Sequence, residues 1–315
     1  MLKMRSKNIE LLLYNNSFYL ISIIIYRIDL FSKKLIFLNQ KEQIGNNCKI
    51  KIFDLEENRL FIRSCSVRII QSLKGMSQNS CGNSLYLCGS NNQKSSCFLI
   101  HINLESTDIK TEVLVNAIYS HYKPIIFIVH SDIIVIVGGK NQILCEKYSI
   151  SLKKWRDMPV LPEERYQGNV ILNEKNSHLY LFGGSTNGKS NDSILILNLR
   201  SVGGWEKIFV KENSQLLKRN KCISFCFDEN GEDNIIYILG GKKNEREKCD
   251  FIIEYNFENN TVNKKDMDLT DLPCFDINTV ADINKNKFAF TDSKENIYIV
   301  EKKNFRITVI SSEDA

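Results

Sequence analysis

Three features of the 315-residue sequence predict an all-β protein assembled from repeated four-stranded units. Runs of β-branched residues end in double glycines at Gly138-Gly139, Gly183-Gly184 and Gly240-Gly241, the mark of a buried strand running into a tight turn. A weaker copy at Gly89 and a degenerate one at Thr291 extend the series, and the steps of 49, 45, 57 and 51 residues are those of a supersecondary unit. Finally, a hairpin signal eight or nine residues long follows each copy, apolar or aromatic at both ends and rich in turn formers between them.

The apolar fraction of 43% and the aromatic fraction of 10% fit a packed globular protein and exclude a disordered one. The net charge of +5 is small and dispersed, which argues against nucleic acid as a partner. Clusters such as Lys242-Lys243-Asn244 read as loop filler in a chain rich in Asn and Lys. Ten cysteines are scattered, several inside apolar runs, with no C-x-x-C pair; reduced, strand-buried thiols in a cytoplasmic protein are expected.

In chain order, Phe18 to Tyr26 is apolar but falls short of the ~20 residues of a membrane span, so residues 1–47 are expected to be strands and not an anchor. Ile9–Leu13 is a candidate ring-closing strand, and Ile28–Leu35 a candidate inner hairpin of the first unit. The hairpin signals then run Phe53–Leu60, Ile102–Ile109, Tyr148–Trp155, Leu197–Trp205 (one residue longer), Tyr255–Val262 and Val300–Ile307. For the fourth unit, strands are expected near 168–172, 179–182, 193–199 and 205–210. Four strands per ~50 residues is the make-up of a propeller blade, and six copies predict six four-stranded blades, with seven as the alternative.

The stretch Gly138, Gly139, Tyr148, Trp155, Met158-Pro159 and Arg165 resembles a kelch repeat, in which a double glycine closes the second strand and a Tyr and a Trp follow six residues apart. Gly183, Gly184, Trp205, Gly240, Gly241 and Tyr255 extend the resemblance. It covers about residues 48–310, is best over 124–310, and implies a single kelch-type β-propeller across the chain with no BTB or F-box domain. Leu60, Ile109, Val262 and Ile307 replace the tryptophan elsewhere, so looser packing is expected there.

Groups able to carry chemistry are sparse. Histidines stand only at 101, 121, 130 and 178, without metal-ligand spacing; His121 and His130, bracketing an apolar strand, read as loop histidines. Cys222 and Cys226 fall on one face of a strand and read as core. No G-x-S-x-G or phosphate-cradling loop is present. Neither a cofactor nor a metal is expected, and the protein is expected not to be an enzyme.

Charged residues at the entrances of the innermost strands are the candidate contacts. In kelch propellers such positions open onto a face where partners dock, so the resemblance implies that Arg165, Arg219 and Lys221 meet an acidic peptide segment of another protein, while the loops at 185–190 and 242–248 are expected on the opposite face. The resulting expectation is a non-catalytic interaction module or scaffold, such as a substrate-recognition or adaptor subunit. Two alternatives share the fold: a cytoskeleton-associated scaffold, and a sugar isomerase or metal oxidase with its site in the central channel.

Overall fold

The computed structural model describes residues 34–44, 47–54, 59–66, 76–81, 84–89, 96–102, 109–129, 132–226, 234–244, 247, 249, 251–265, 281–284, 286–291 and 297–310. The expected N-terminal strand and hairpin at 9–13 and 28–33 lie outside them, as does His130. Among the described residues six antiparallel sheets follow one another. The first comprises β1 (Lys34–Ile44), β2 (Asn47–Asp54) and β3 (Arg59–Ser66); the second β4 (Met76–Cys81), β5 (Ser84–Gly89), β6 (Ser96–Ile102) and β7 (Ile109–Val113). The third comprises β8 (Ile125–Val129), β9 (Ile133–Gly139), β10 (Gln142–Ser149) and β11 (Lys154–Met158). In the fourth, β12 (Tyr166–Asn173), β13 (His178–Thr186), β15 (Ile194–Asn198) and β16 (Glu206–Ile208) pair in order, and the two-residue β14 (Lys189–Ser190) pairs with β13. The fifth holds β17 (Ile223–Cys226), β18 (Ile235–Leu239), β19 (Ile252–Asn256) and β20 (Thr261–Lys265), and the sixth β21 (Ala281–Asn284), β22 (Lys287–Thr291), β23 (Ile297–Glu301) and β24 (Ile307–Ile310).

The hairpin signals close as their end residues require. Phe53 pairs with Leu60, Ile102 with Ile109, Tyr148 with Trp155, Tyr255 with Val262 and Val300 with Ile307. The longer fourth copy holds the register Ile196 to Glu206. No helix among the described residues is long and apolar enough to cross a membrane.

Strand alternation decides how the sheets stack. Successive side chains point to opposite faces, and in β9 Ile134 and Ile136 pack with Tyr86 and Cys88 of the second sheet, while Val135 and Val137 pack with Leu179 and Leu181 of the fourth. In β13, Tyr180 and Phe182 turn the other way, onto Ile236 and Ile238 of β18. Tyr237 and Leu239 of β18 in turn meet Phe288 and Phe290 of the sixth sheet. The second to sixth sheets thus form one succession in which β9, β13 and β18 are buried on both faces, which is why they read as unbroken apolar runs. Each such side chain contributes about 1.5–3 kcal/mol on full burial. The first strands of the second to fifth sheets, β4, β8, β12 and β17, lie side by side in that order, and β21 of the last sheet approaches both β1 and β4.

The junctions between sheets are filled unequally. Tyr148 and Trp155 meet with tilted rings, centroids 4.9 Å apart, between the second and third sheets. Tyr180, Phe182 and Tyr255 cluster between the fourth and fifth, and Phe225, Tyr237, Phe288 and Phe305 between the fifth and sixth. The junction between the third and fourth is mostly aliphatic around Trp205, and there an open groove of about 550 Å³ remains. The expectation of looser packing is corrected at Val262 and Ile307, beside which rings from other strands fill the space, and the groove lies at a junction that keeps its tryptophan; the side chains of Leu60 and Ile109 lie outside the described ones.

Candidate functional site

The entrances of β8, β12 and β17 are built on one plan. His121, Arg165 and Arg219 precede these strands, and each reaches the first glycine of its own sheet's pair. His121 Nδ1 stands 2.7 Å from the Gly138 carbonyl, Arg165 Nη1 donates to Gly183 O at 2.6 Å, and Arg219 Nη1 to Gly240 O at 2.7 Å. The second glycine then ties to the next sheet: Gly139 N–H donates to Arg165 O at 3.0 Å and Gly184 N–H to Arg219 O at 2.8 Å. Each arginine secures its own sheet with its side chain and the preceding sheet with its carbonyl.

Glycine is required where this crossing is tightest. Gly183 has φ +58, and a β-carbon there would lie 2.3 Å from Arg219 O, far inside contact distance. The double glycines are turn and crossing points in the backbone.

Arg165 and Arg219 are both fully buried, which corrects the expectation that they meet a partner. Arg165 also donates to Glu163 at 2.7 Å and to the Ser193 hydroxyl at 2.5 Å. Glu163 in turn accepts from Lys207 at 2.6 Å. Burial works to raise the pKa of the Glu163 carboxyl, but Lys207 and Arg165 outweigh it and hold it below the usual carboxylate range. Among the described residues Arg219 has no such counterion: burial pulls its pKa down, its Nη2 has no acceptor, and its guanidinium lies 4.9 Å from the Phe251 ring.

His121 is equally buried, its Nε2 2.8 Å from Glu146 Oε1. The Gly138 oxygen has no proton to give, so Nδ1 carries one. Glu146 also accepts from the backbone N–H groups of Ile118 and Tyr119. The acid–base groups at this end are thus engaged in holding backbone. His178 Nδ1 likewise stands 2.7 Å from Asn176 O, and Cys222 and Cys226 pack in the junction of the fourth and fifth sheets.

The loops expected on the opposite face lie at this same end. The Glu164 carboxylate accepts from Asn141 N–H at 2.6 Å and from Asn187 N–H. Asn220 donates to Ser190 Oγ at 3.1 Å, and Ser190 to Lys243 O at 2.6 Å. The reason is antiparallel pairing: the second strand of each sheet returns to the end at which the first begins, so the loop to the third strand emerges beside the entrance.

Two residues beyond each buried anchor the backbone turns left-handed, with φ of 53 at Lys123, 57 at Gln167 and 55 at Lys221. Non-glycine residues rarely adopt this conformation, and its recurrence in three successive sheets is a construction rule of this end. Lys221 N–H donates to Gln167 O at 2.9 Å, joining the fifth sheet to the fourth. A second lysine follows the glycine pair in the third and fifth sheets: Lys140 N–H donates to Tyr122 O at 2.8 Å, and Lys242 N–H to Asn220 O at 3.0 Å.

The end therefore carries two lysine pairs, Lys123 with Lys140 and Lys221 with Lys242, flanking the uncharged Gln167 and Ser185 of the fourth sheet. Among the described residues none of these four ammonium groups forms an ion pair, whereas Lys207, Lys218, Lys243, Lys265 and Lys287 each do. Of the three expected contacts, only Lys221 stays accessible, as a half-buried residue.

No family model matches the chain, and no curated protein matches it.

The sequence reading did not single out Lys123 and Lys140, and it took Lys242 as loop filler. The repeated Gly-Gly-Lys at 138–140 and 240–242 was the available signal, hidden by the abundance of lysine in the loops.

Proposed function

We propose that the chain is a kelch-like β-propeller of six blades acting as a non-catalytic protein-interaction module, and that it docks an acidic peptide segment across the end carrying Lys123, Lys140, Lys221 and Lys242. The observation that carries this reading is the pairing of unneutralised lysines with a backbone fixed by buried side chains. Charge presented on a rigid frame loses little freedom on binding, and four like charges without internal counterions favour an anionic partner. The succession of doubly buried sheets, and the approach of β21 to β1 and β4, support the ring. A cytoplasmic setting is part of the proposal, supported by free buried thiols at Cys88, Cys97, Cys145, Cys222 and Cys249.

The test is fluorescence anisotropy of a labelled oligoglutamate peptide titrated with the full chain and with a Lys140→Glu/Lys221→Glu variant, both checked by circular dichroism. The reading expects saturable binding that weakens with salt and falls at least tenfold in the variant. Equal affinity for both proteins removes the lysine end from the proposal, and no binding to either removes the acidic-peptide class.

A further inference from the structure

At the other end of the same sheets lies the groove between the third and fourth. Its floor is apolar and buried, formed by Val135 and Leu179, with Leu172 and Met158 on its walls. Lys147 and Arg200 stand at its edge with Glu174. Lys147 shares a face with Val135, its partner in the β9–β10 register. Neither Lys147 nor Arg200 forms an ion pair among the described residues, so the rim holds two cations against one carboxylate.

We infer that this groove binds an anionic amphiphile, a medium-chain fatty acid, with its alkyl tail between the sheets and its carboxylate at Lys147 and Arg200. Three observations combine. The neighbouring junctions hold clusters of aromatic rings, whereas among the described residues this one sets Trp205 and Phe127 among aliphatic side chains, so the space arises from the sequence of the junction itself. About 550 Å³ is the size of a small-molecule site, and such sites are mostly apolar with a few polar groups that orient the ligand. The charge excess at the rim selects an acid over an alcohol of equal length. Because the walls are aliphatic, an alkyl chain matches them more closely than a peptide, whose backbone would enter without hydrogen-bond partners.

Isothermal titration of the full chain with octanoate and decanoate, below their micelle concentrations, tests the inference. Withdrawing two further methylenes from water is expected to tighten binding roughly tenfold. Decanol is expected to bind at least tenfold more weakly than decanoate, and a Lys147→Gln/Arg200→Gln variant to lose that preference while remaining folded. A Leu172→Trp variant, which adds a ring from the groove's own wall, is expected to abolish binding and raise the melting temperature. No saturable binding by wild type, equal binding of decanol and decanoate, or unchanged binding by Leu172→Trp would each overturn the inference. So would preferential binding of a peptide ending in Leu-Leu, which would assign the groove to a protein partner.

Discussion

Arg165 Nη1 donates to the Gly183 carbonyl at 2.6 Å, and Arg219 repeats the bond to Gly240 one sheet later. The two arginines differ in what surrounds the remaining nitrogens. Arg165 has Glu163 and Ser193, whereas Arg219 Nη2 has no acceptor. A buried charge with a complete set of partners is expensive to truncate, because its partners are left uncompensated, whereas one with an orphaned donor already bears part of that cost. Arg165→Met is expected to lower unfolding stability by about 3–5 kcal/mol, and Arg219→Met by about 2 kcal/mol or less. Urea denaturation of both variants measures the difference, and equal losses would contradict the assignment.

Two glycines of the fourth sheet provide a contrast in crowding. Gly183 and Gly188 both have positive φ, but a β-carbon at Gly188 meets nothing within 4 Å, while at Gly183 it would strike Arg219 O. Gly188→Ala is expected to cost about 1 kcal/mol, the conformational penalty alone. Gly183→Ala adds a displacement of backbone between two sheets and is expected to cost about 3 kcal/mol or more. Matching midpoints for the two variants would show that the crossing is looser than its geometry implies.

The Glu163 carboxyl makes stability depend on acid. Its folded pKa is depressed by Lys207 and Arg165 acting against burial. The ionised form is therefore favoured by folding, so the contribution is present above the unfolded carboxylate pKa and is lost as pH falls through the lower folded value. Glu163→Gln is expected to be less stable than wild type at neutral pH and to flatten the acid limb of the melting-temperature profile below about pH 4.5. A variant whose acid limb retains the wild-type slope would show that other carboxylates control it.

How far the fold was legible follows from particular residues. The hairpin ends at Tyr148 and Trp155 could be read because strand pairing fixes both positions through local sequence, and the register confirms them. The buried fate of Arg165 and Arg219 could not, because an arginine before a strand looks the same whether it faces solvent or a glycine carbonyl from the same sheet. That contact spans 18 residues for Arg165 and 21 for Arg219, beyond the reach of local periodicity. The placement of the 185–190 loop was within reach, since it follows from counting antiparallel strands, and the sequence reading put it on the wrong face. The groove was not legible, because which rings fill a junction depends on both sheets at once.

The two tryptophans offer the last contrast. The indole N–H of Trp155 donates to Val115 O at 2.7 Å, securing the segment that leads from the second sheet into the third. The indole N–H of Trp205 is buried without an oxygen or nitrogen acceptor, and the Cys145 thiol beside it is a weak one. Replacement by phenylalanine removes the donor and some area from each. At Trp155 it also breaks a hydrogen bond to the Val115 carbonyl, while at Trp205 it relieves an unsatisfied donor. Trp155→Phe is expected to cost about 1–2 kcal/mol more than Trp205→Phe, read as a difference in urea midpoint at equal m-value. Because Trp205 also borders the aliphatic junction, Trp205→Phe should leave the groove open, and a larger loss there than at Trp155 would mean that the ring's bulk, and not its hydrogen bond, sets the stability of this junction.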